Sequence, residues 1–252
     1  MNTLSKLSVI LLATVALQAN AKFYDTVEYA FGLEGKGQLV LENVNGDVDI
    51  KAWDKNEILV TAEITASDEE TRKRIQVKTK QVGDKVSVET DYEHGEGWGR
   101  HNNINGSVDY TVMVPADVKL RDIDLVNGSL KVENVSGELN AEVVNGSVTA
   151  TGLASDVEVD SVNGKVELTF ADHASNIDVE VETVNGGIRI YVAEGFGAKI
   201  EASTGNGSIK TDFGLRGEKG QYYGTDLEGQ FGDASSNLEL ESVNGSIKVL
   251  KK

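Results

Sequence analysis

An internal repeat constrains this chain more than any other feature: Val-Asn-Gly, then a small or polar residue, then an aliphatic one. It stands at Val44-Asn45-Gly46, Val126-Asn127-Gly128, Val144-Asn145-Gly146, Val162-Asn163-Gly164, Val184-Asn185-Gly186 and Val243-Asn244-Gly245, with variants at Ile104-Asn105-Gly106 and Gly205-Asn206-Gly207. Between Asn127 and Asn206 the steps are 18, 18, 22 and 21 residues. Asparagine and glycine tolerate positive φ at low cost, so each pair marks a tight corner between two strands.

Aligned on the asparagine, the copies show the period-two pattern of half-buried strands. Three residues after it stand Val48, Val108, Leu130, Val148, Val166, Ile188, Ile209 and Ile247; four before it stand Leu41, Ile123, Ala141, Val159, Val181, Ala202 and Leu240. Both columns are expected to face inward. Between them lies an outward acidic column three residues before the asparagine, Glu42, Asp124, Glu142, Asp160, Glu182 and Glu241, interrupted by Ser203. Four residues after the asparagine runs a broken basic column of Lys131, Arg189, Lys210 and Lys248.

Asn-Gly between alternating strands also signals a β-hairpin, so a meander is the rival architecture. In a hairpin the valine before each asparagine falls on the polar face. A chain that bends at that point instead turns the valine into a stack, with asparagines of successive coils above one another sharing hydrogen bonds. The fold expected is therefore all-β: a single-domain parallel β-solenoid, or β-helix, over residues 22–252, with coils of about 18–22 residues and Asn-Gly corners. Two insertions interrupt it. Residues 66–105 offer a capping box of Ser67 with Glu70, a helical turn, strands over 75–80 and 85–90, and a glycine loop. Residues 214–237 form a glycine-rich loop holding Tyr222, Tyr223 and Phe231.

Residues 1–21 carry one positive charge, Lys6, an apolar run from Leu7 to Leu17 and the small-residue stretch Ala19 to Ala21, the pattern of a cleaved secretory signal. The run is too short for a membrane span, which needs roughly 20 apolar residues. Export to the periplasm or medium is expected, with no integral membrane segment in the mature chain. Cysteine is absent, so stability in an oxidising compartment rests on packing alone. Forty-one acidic against 24 basic residues, a net charge of −17, repel nucleic acid and anionic lipid.

Candidate chemistry is sparse. His94 and His101 share a glycine loop with Glu93, Glu96 and Trp98, but their spacing matches no metal motif, and His173 has no local partner. Stacked carboxylates repel one another at about 4.8 Å; divalent cations are one remedy, solvent and neighbouring lysines the preferred one. No catalytic, cofactor-binding or metal-binding residue is assigned. The candidate binding surface is the acidic column Glu42, Asp124, Glu142, Asp160, Glu182 and Glu241, with Tyr222 and Tyr223; the structural corners are the six Asn-Gly pairs from Asn45-Gly46 to Asn244-Gly245.

Residues 39–60, LVLENVNGDVDIKAWDKNEILV, and 238–249, LELESVNGSIKV, resemble the bacterial putative-adhesin family of β-strand-repeat proteins of unknown function. The resemblance implies a β-solenoid on an exported or envelope-associated protein and supplies no catalytic residues. The enlarged loop near Trp98 departs from the family pattern. The function expected is a non-enzymatic binding or structural module, with an envelope protein or a glycan as partner. A carbohydrate-active β-helix enzyme and a self-associating scaffold are the alternatives.

Overall fold

The computed structural model describes residues 8–10, 22–93, 105–220 and 224–252. Within them the protein is all-β apart from one short helix, Glu69–Lys73. Its strands form two sheets of eleven strands each. Each repeat unit sends its strand before the corner to one sheet, here sheet 1, and its strand after the corner to the other, sheet 2.

Seven units follow one another across the sheets: Gln38–Asn45 with Val48–Trp53, Lys119–Asn127 with Leu130–Glu133, Leu139–Asn145 with Val148–Leu153, Val157–Asn163 with Val166–Phe170, Asp178–Asn185 with Ile188–Val192, Ser236–Asn244 with Ile247–Lys251, and Ala198–Asn206 with Ile209–Thr211. Neighbouring units pair in parallel in both sheets, asparagine opposite asparagine. This disposes of the meander. It also corrects the expected order of stacking, because the last repeat in sequence, residues 236–251, is wedged between 178–192 and 198–211.

Antiparallel strands close both ends. At one, Lys85–Tyr92 and Gly106–Pro115 lie parallel to the unit at 38–53, followed outward by Ile75–Val82 in sheet 1 and by Glu57–Ala66, Phe23–Gly32 and Ser8–Ile10 in sheet 2. At the other, Thr225–Phe231 and Glu218–Lys219 run antiparallel beyond Ala198–Asn206. Much of the expected loop at 214–237 is therefore strand. Its Phe231 is buried, stacked 4.0 Å from Phe213 and near Phe196.

The core lies between the sheets. The columns three residues after and four residues before the corner asparagines are all buried, each large aliphatic side chain contributing about 1.5–3 kcal/mol through water exclusion. A third inward column, two residues before the asparagine, has no counterpart in the sequence reading: Asn43, Leu125, Val143, Ser161, Thr183, Ser242 and Thr204, apolar in two units and polar in the rest. At the first end it joins a buried network, where Thr90 Oγ1 donates to Asn43 Oδ1 at 2.9 Å and lies 2.7 Å from the Tyr110 hydroxyl.

That third column overturns the expected position of the valines. Strand alternation persists to the asparagine itself, so the residue before it must face out, and the chain turns only at the glycine. Val44, Val126, Val162, Val184 and Val243 are accordingly exposed and Val144 half-buried. Two smaller expectations also change. The helix is capped by Asp68, whose carboxylate accepts from the Thr71 amide at 2.7 Å, because Ser67 Oγ instead donates to Asp68. Asn105-Gly106 makes no stacked corner: Gly106 starts a strand registered by its antiparallel partner Ala66, which places Tyr110 rather than Val108 beside Val48.

Candidate binding face

The corners are joined by two ladders of hydrogen bonds. Side-chain amides donate along the stack from Asn206 to Asn244, Asn185, Asn163, Asn145, Asn127 and Asn45, each to the next Oδ1, at 2.9–3.0 Å. Backbone amides of the glycines donate the opposite way, Gly46 to the Asn127 carbonyl and so on to Gly245 and Asn206. The unit after each corner is thereby fixed in register, and every outward side chain lies beside its equivalent in the next unit.

Sheet 1 presents that repetition to solvent. Its acidic column is continuous through paired positions Glu42, Asp124, Glu142, Asp160, Glu182 and Glu241, then reaches Ser203. A second acidic column, absent from the sequence reading, runs two residues earlier through Glu158, Glu180, Glu239 and Glu201. The signal for it was present in the same alignment, five residues before the asparagine. Parallel neighbours are about 4.8 Å apart, so like charges face one another along both columns. Partial burial and the neighbouring carboxylates together push Asp124, Asp160, Glu180 and Glu182 above the ordinary carboxyl range.

Flanking the acids is the column of valines. An open groove of about 480 Å³ runs along both, bordered by Glu142, Asp160, Glu182 and Glu241 on one side and by Val162, Val184 and Val243 on the other. Half of the basic column of sheet 2 is neutralised in its own sheet, where Lys131 pairs with Glu133 at 2.7 Å and Arg189 with Glu167 at 3.4 Å, while Lys210 stands beside Lys248.

The remaining candidates fall elsewhere. Tyr222, Tyr223, His94, Glu96, Trp98 and His101 lie outside the described residues. Trp53, an aromatic side chain of the type that stacks on sugar rings, is held in place, its indole nitrogen donating to the Glu57 carbonyl at 2.9 Å and Lys55 lying over its ring. His173 is exposed in a loop. Among the described residues no three His, Asp or Glu side chains converge in the way a metal ion requires, because stacked carboxylates lie in a line rather than around a point. No helix among the described residues is long and apolar enough to cross a membrane.

Comparison with known proteins agrees with the resemblance drawn from the repeats. Residues 116–196 match the family described as Toastrack DUF4097. A putative cell adhesion protein from Clostridium sporogenes shares the fold at TM-score 0.52 and 18% identity, over 91% of this chain and 100% of that one. A putative adhesin from Bacteroides fragilis aligns at TM-score 0.41 and 10% identity, over 89% of this chain and 97% of that one. No curated protein matches the chain in sequence.

Proposed function

We propose that this chain winds as one β-solenoid and serves as an exported, envelope-associated, adhesin-like binding module that performs no chemistry on its ligand. The observation that carries the reading is the repetition of the sheet 1 face. The same few side-chain types recur in six of the seven units, giving an extended surface of aligned carboxylates and aligned valines that ends at Ser203 and Gly205. A catalytic site instead gathers different groups around one reacting atom. A periodic face suits a long, repetitive or surface-bound partner, which meets the same contact several times over.

The leader-like residues 1–21 support export, and the fold shared with the cell adhesion protein of Clostridium sporogenes supports an envelope location. The decisive experiment incubates purified protein with isolated envelopes and with acidic and neutral glycans, following both retention and product release. Retention without turnover is the expected result. Release of shortened glycan would overturn the reading in favour of a carbohydrate-active enzyme, and retention by none of these surfaces would remove the binding role.

A further inference from the structure

We propose that the valine stripe of sheet 1 and the acidic column beside it form one docking groove for a cationic amphipathic helix of a partner protein. The inference rests on the binding-module reading and supplies it with a surface and a partner class.

Of the eight most exposed large apolar side chains among the described residues, five belong to this stripe, at 37–53% exposure: Val44, Val126, Val162, Val184 and Val243. With Val144 they make a continuous apolar line, since each stands one residue before an asparagine paired with the next. Isolated exposed valines need no explanation, but an unbroken row is the kind of surface that a partner covers.

Charge complementarity identifies the occupant. In the four units 139–145, 157–163, 178–185 and 236–244, the two outward columns beside the valines hold Glu142, Glu158, Asp160, Glu180, Glu182, Glu239 and Glu241 and no basic residue. None of these seven carboxylates has a salt bridge among the described residues. A second copy of this chain, itself at −17, would bring more negative charge to the face. A basic partner relieves the repulsion along the columns and covers the valines at once.

Geometry selects a helix over a strand. The stripe repeats at about 4.8 Å. Side chains on one face of a helix recur each turn, about 5.4 Å, whereas those on one face of a strand recur at about 6.7 Å. From Val44 to Val243 the row has five steps, about 24 Å, which a helix of about 16 residues spans.

The test uses a fluorescent 16-residue Leu/Lys amphipathic helix as probe, with a control peptide whose leucines are replaced by serine. The wild-type protein is expected to bind the Leu/Lys peptide at least tenfold more tightly than the serine control at moderate salt. Combined Val162→Ser, Val184→Ser and Val243→Ser substitution, with an unchanged melting temperature, is expected to remove that tenfold preference; Asp160→Asn with Glu182→Gln and Glu241→Gln is expected to weaken binding of both peptides. Equal binding of the two peptides by the wild-type protein would overturn the proposal, and that comparison holds even if a variant fails to fold. Displacement of the peptide by a neutral oligosaccharide would overturn it too.

Envelope retention separates the two readings. Loss of retention in the valine variant supports both. Full retention in that variant sinks the groove and leaves the binding module standing. A wild-type protein that binds the peptide through its valines yet is not retained keeps the groove and removes the envelope role.

Discussion

At Gly164 a β-carbon would lie 1.8 Å from the carbonyl oxygen of Gly146, and at Gly146 and Gly186 the same clash recurs with the corner one unit away. Glycine is needed there because the backbone of the next unit occupies the space, whereas Gly46 alone among the six corner glycines also has a positive φ, +121°. Gly164→Ala is therefore expected to cost about 3 kcal/mol, read by chemical denaturation, since two backbones must separate to admit one methyl. Gly195→Ala, with open space around it, should stay within about 0.5 kcal/mol. Equal effects would show that stacking is not what requires glycine at the corner. The recurrence of glycine was legible in the sequence; the reason was not, because close approach and positive φ select the same residue. The buried hydroxyls two residues before the asparagines yield a second contrast. Thr183 Oγ1 has no hydrogen-bond partner among the described residues, while Thr204 Oγ1 donates to the Gly245 carbonyl at 2.8 Å. Thr183→Val should be neutral or stabilising by up to about 1 kcal/mol and Thr204→Val destabilising by about the same amount. The reverse order in thermal melts would contradict this account of the column.

The strands of sheet 1 store repulsion along their acidic columns. Asp124, Asp160, Glu180 and Glu182 hold their protons more tightly in the folded chain than when unfolded, through partial burial and then through one another. A native pKa above the unfolded one makes folding take up protons as the pH falls, so these groups add stability on acidification from neutral until the ordinary carboxyl range is reached. Glu138 and Glu133 act in the opposite sense: hydrogen bonds from Lys119 and Lys131 hold them below their usual values, so their contribution is lost as the pH falls through and below that range. The melting temperature should accordingly peak at mildly acidic pH, and one that falls steadily from pH 7 downward would rule the repulsion out. Glu182→Gln, which removes a charge set between Asp160 and Glu241, should raise the neutral-pH melting temperature by roughly 1–3 °C and reduce the gain on acidification. The acidic and aliphatic columns were readable from period-two alternation because the corners fix the frame. The outward position of the valines is not legible in the sequence, because the chain bends one residue later than the valine-asparagine junction and a single-residue slip exchanges the two faces of a strand.

For the molecule as a whole the decisive feature is the wedge formed by the final repeat. Its amides at Gly245 and Ile247 donate to the Asn206 and Ser208 carbonyls, while its carbonyls at Asn244 and Ser246 accept from Gly186 and Ile188. The C-terminal strands are thus paired on both sides, and the chain passes 198–231 before returning to fill the gap. No local pattern announces this, because every repeat carries the same corner and inward columns and so could stack on any other; the order is decided by the length of 207–235 and the antiparallel return of Thr225–Phe231 onto Ala198–Asn206. An ordinary stack frays from its last unit, and its final amides exchange fastest. Here the opposite is expected in hydrogen exchange of the intact protein. Gly245, Ile247 and Val249 should be protected as strongly as Val166 or Ile188 in the middle of the stack, and Lys210 and Thr211, in the edge strand of sheet 2, should exchange well before them. Fast exchange across 245–249 with slow exchange at 210–211 would place the final repeat at the end of the stack. The wedge also requires that the units at 178–192 and 198–211 cannot reach their final pairing until residues 236–251 have emerged, so completion of the core is coupled to the synthesis of that repeat.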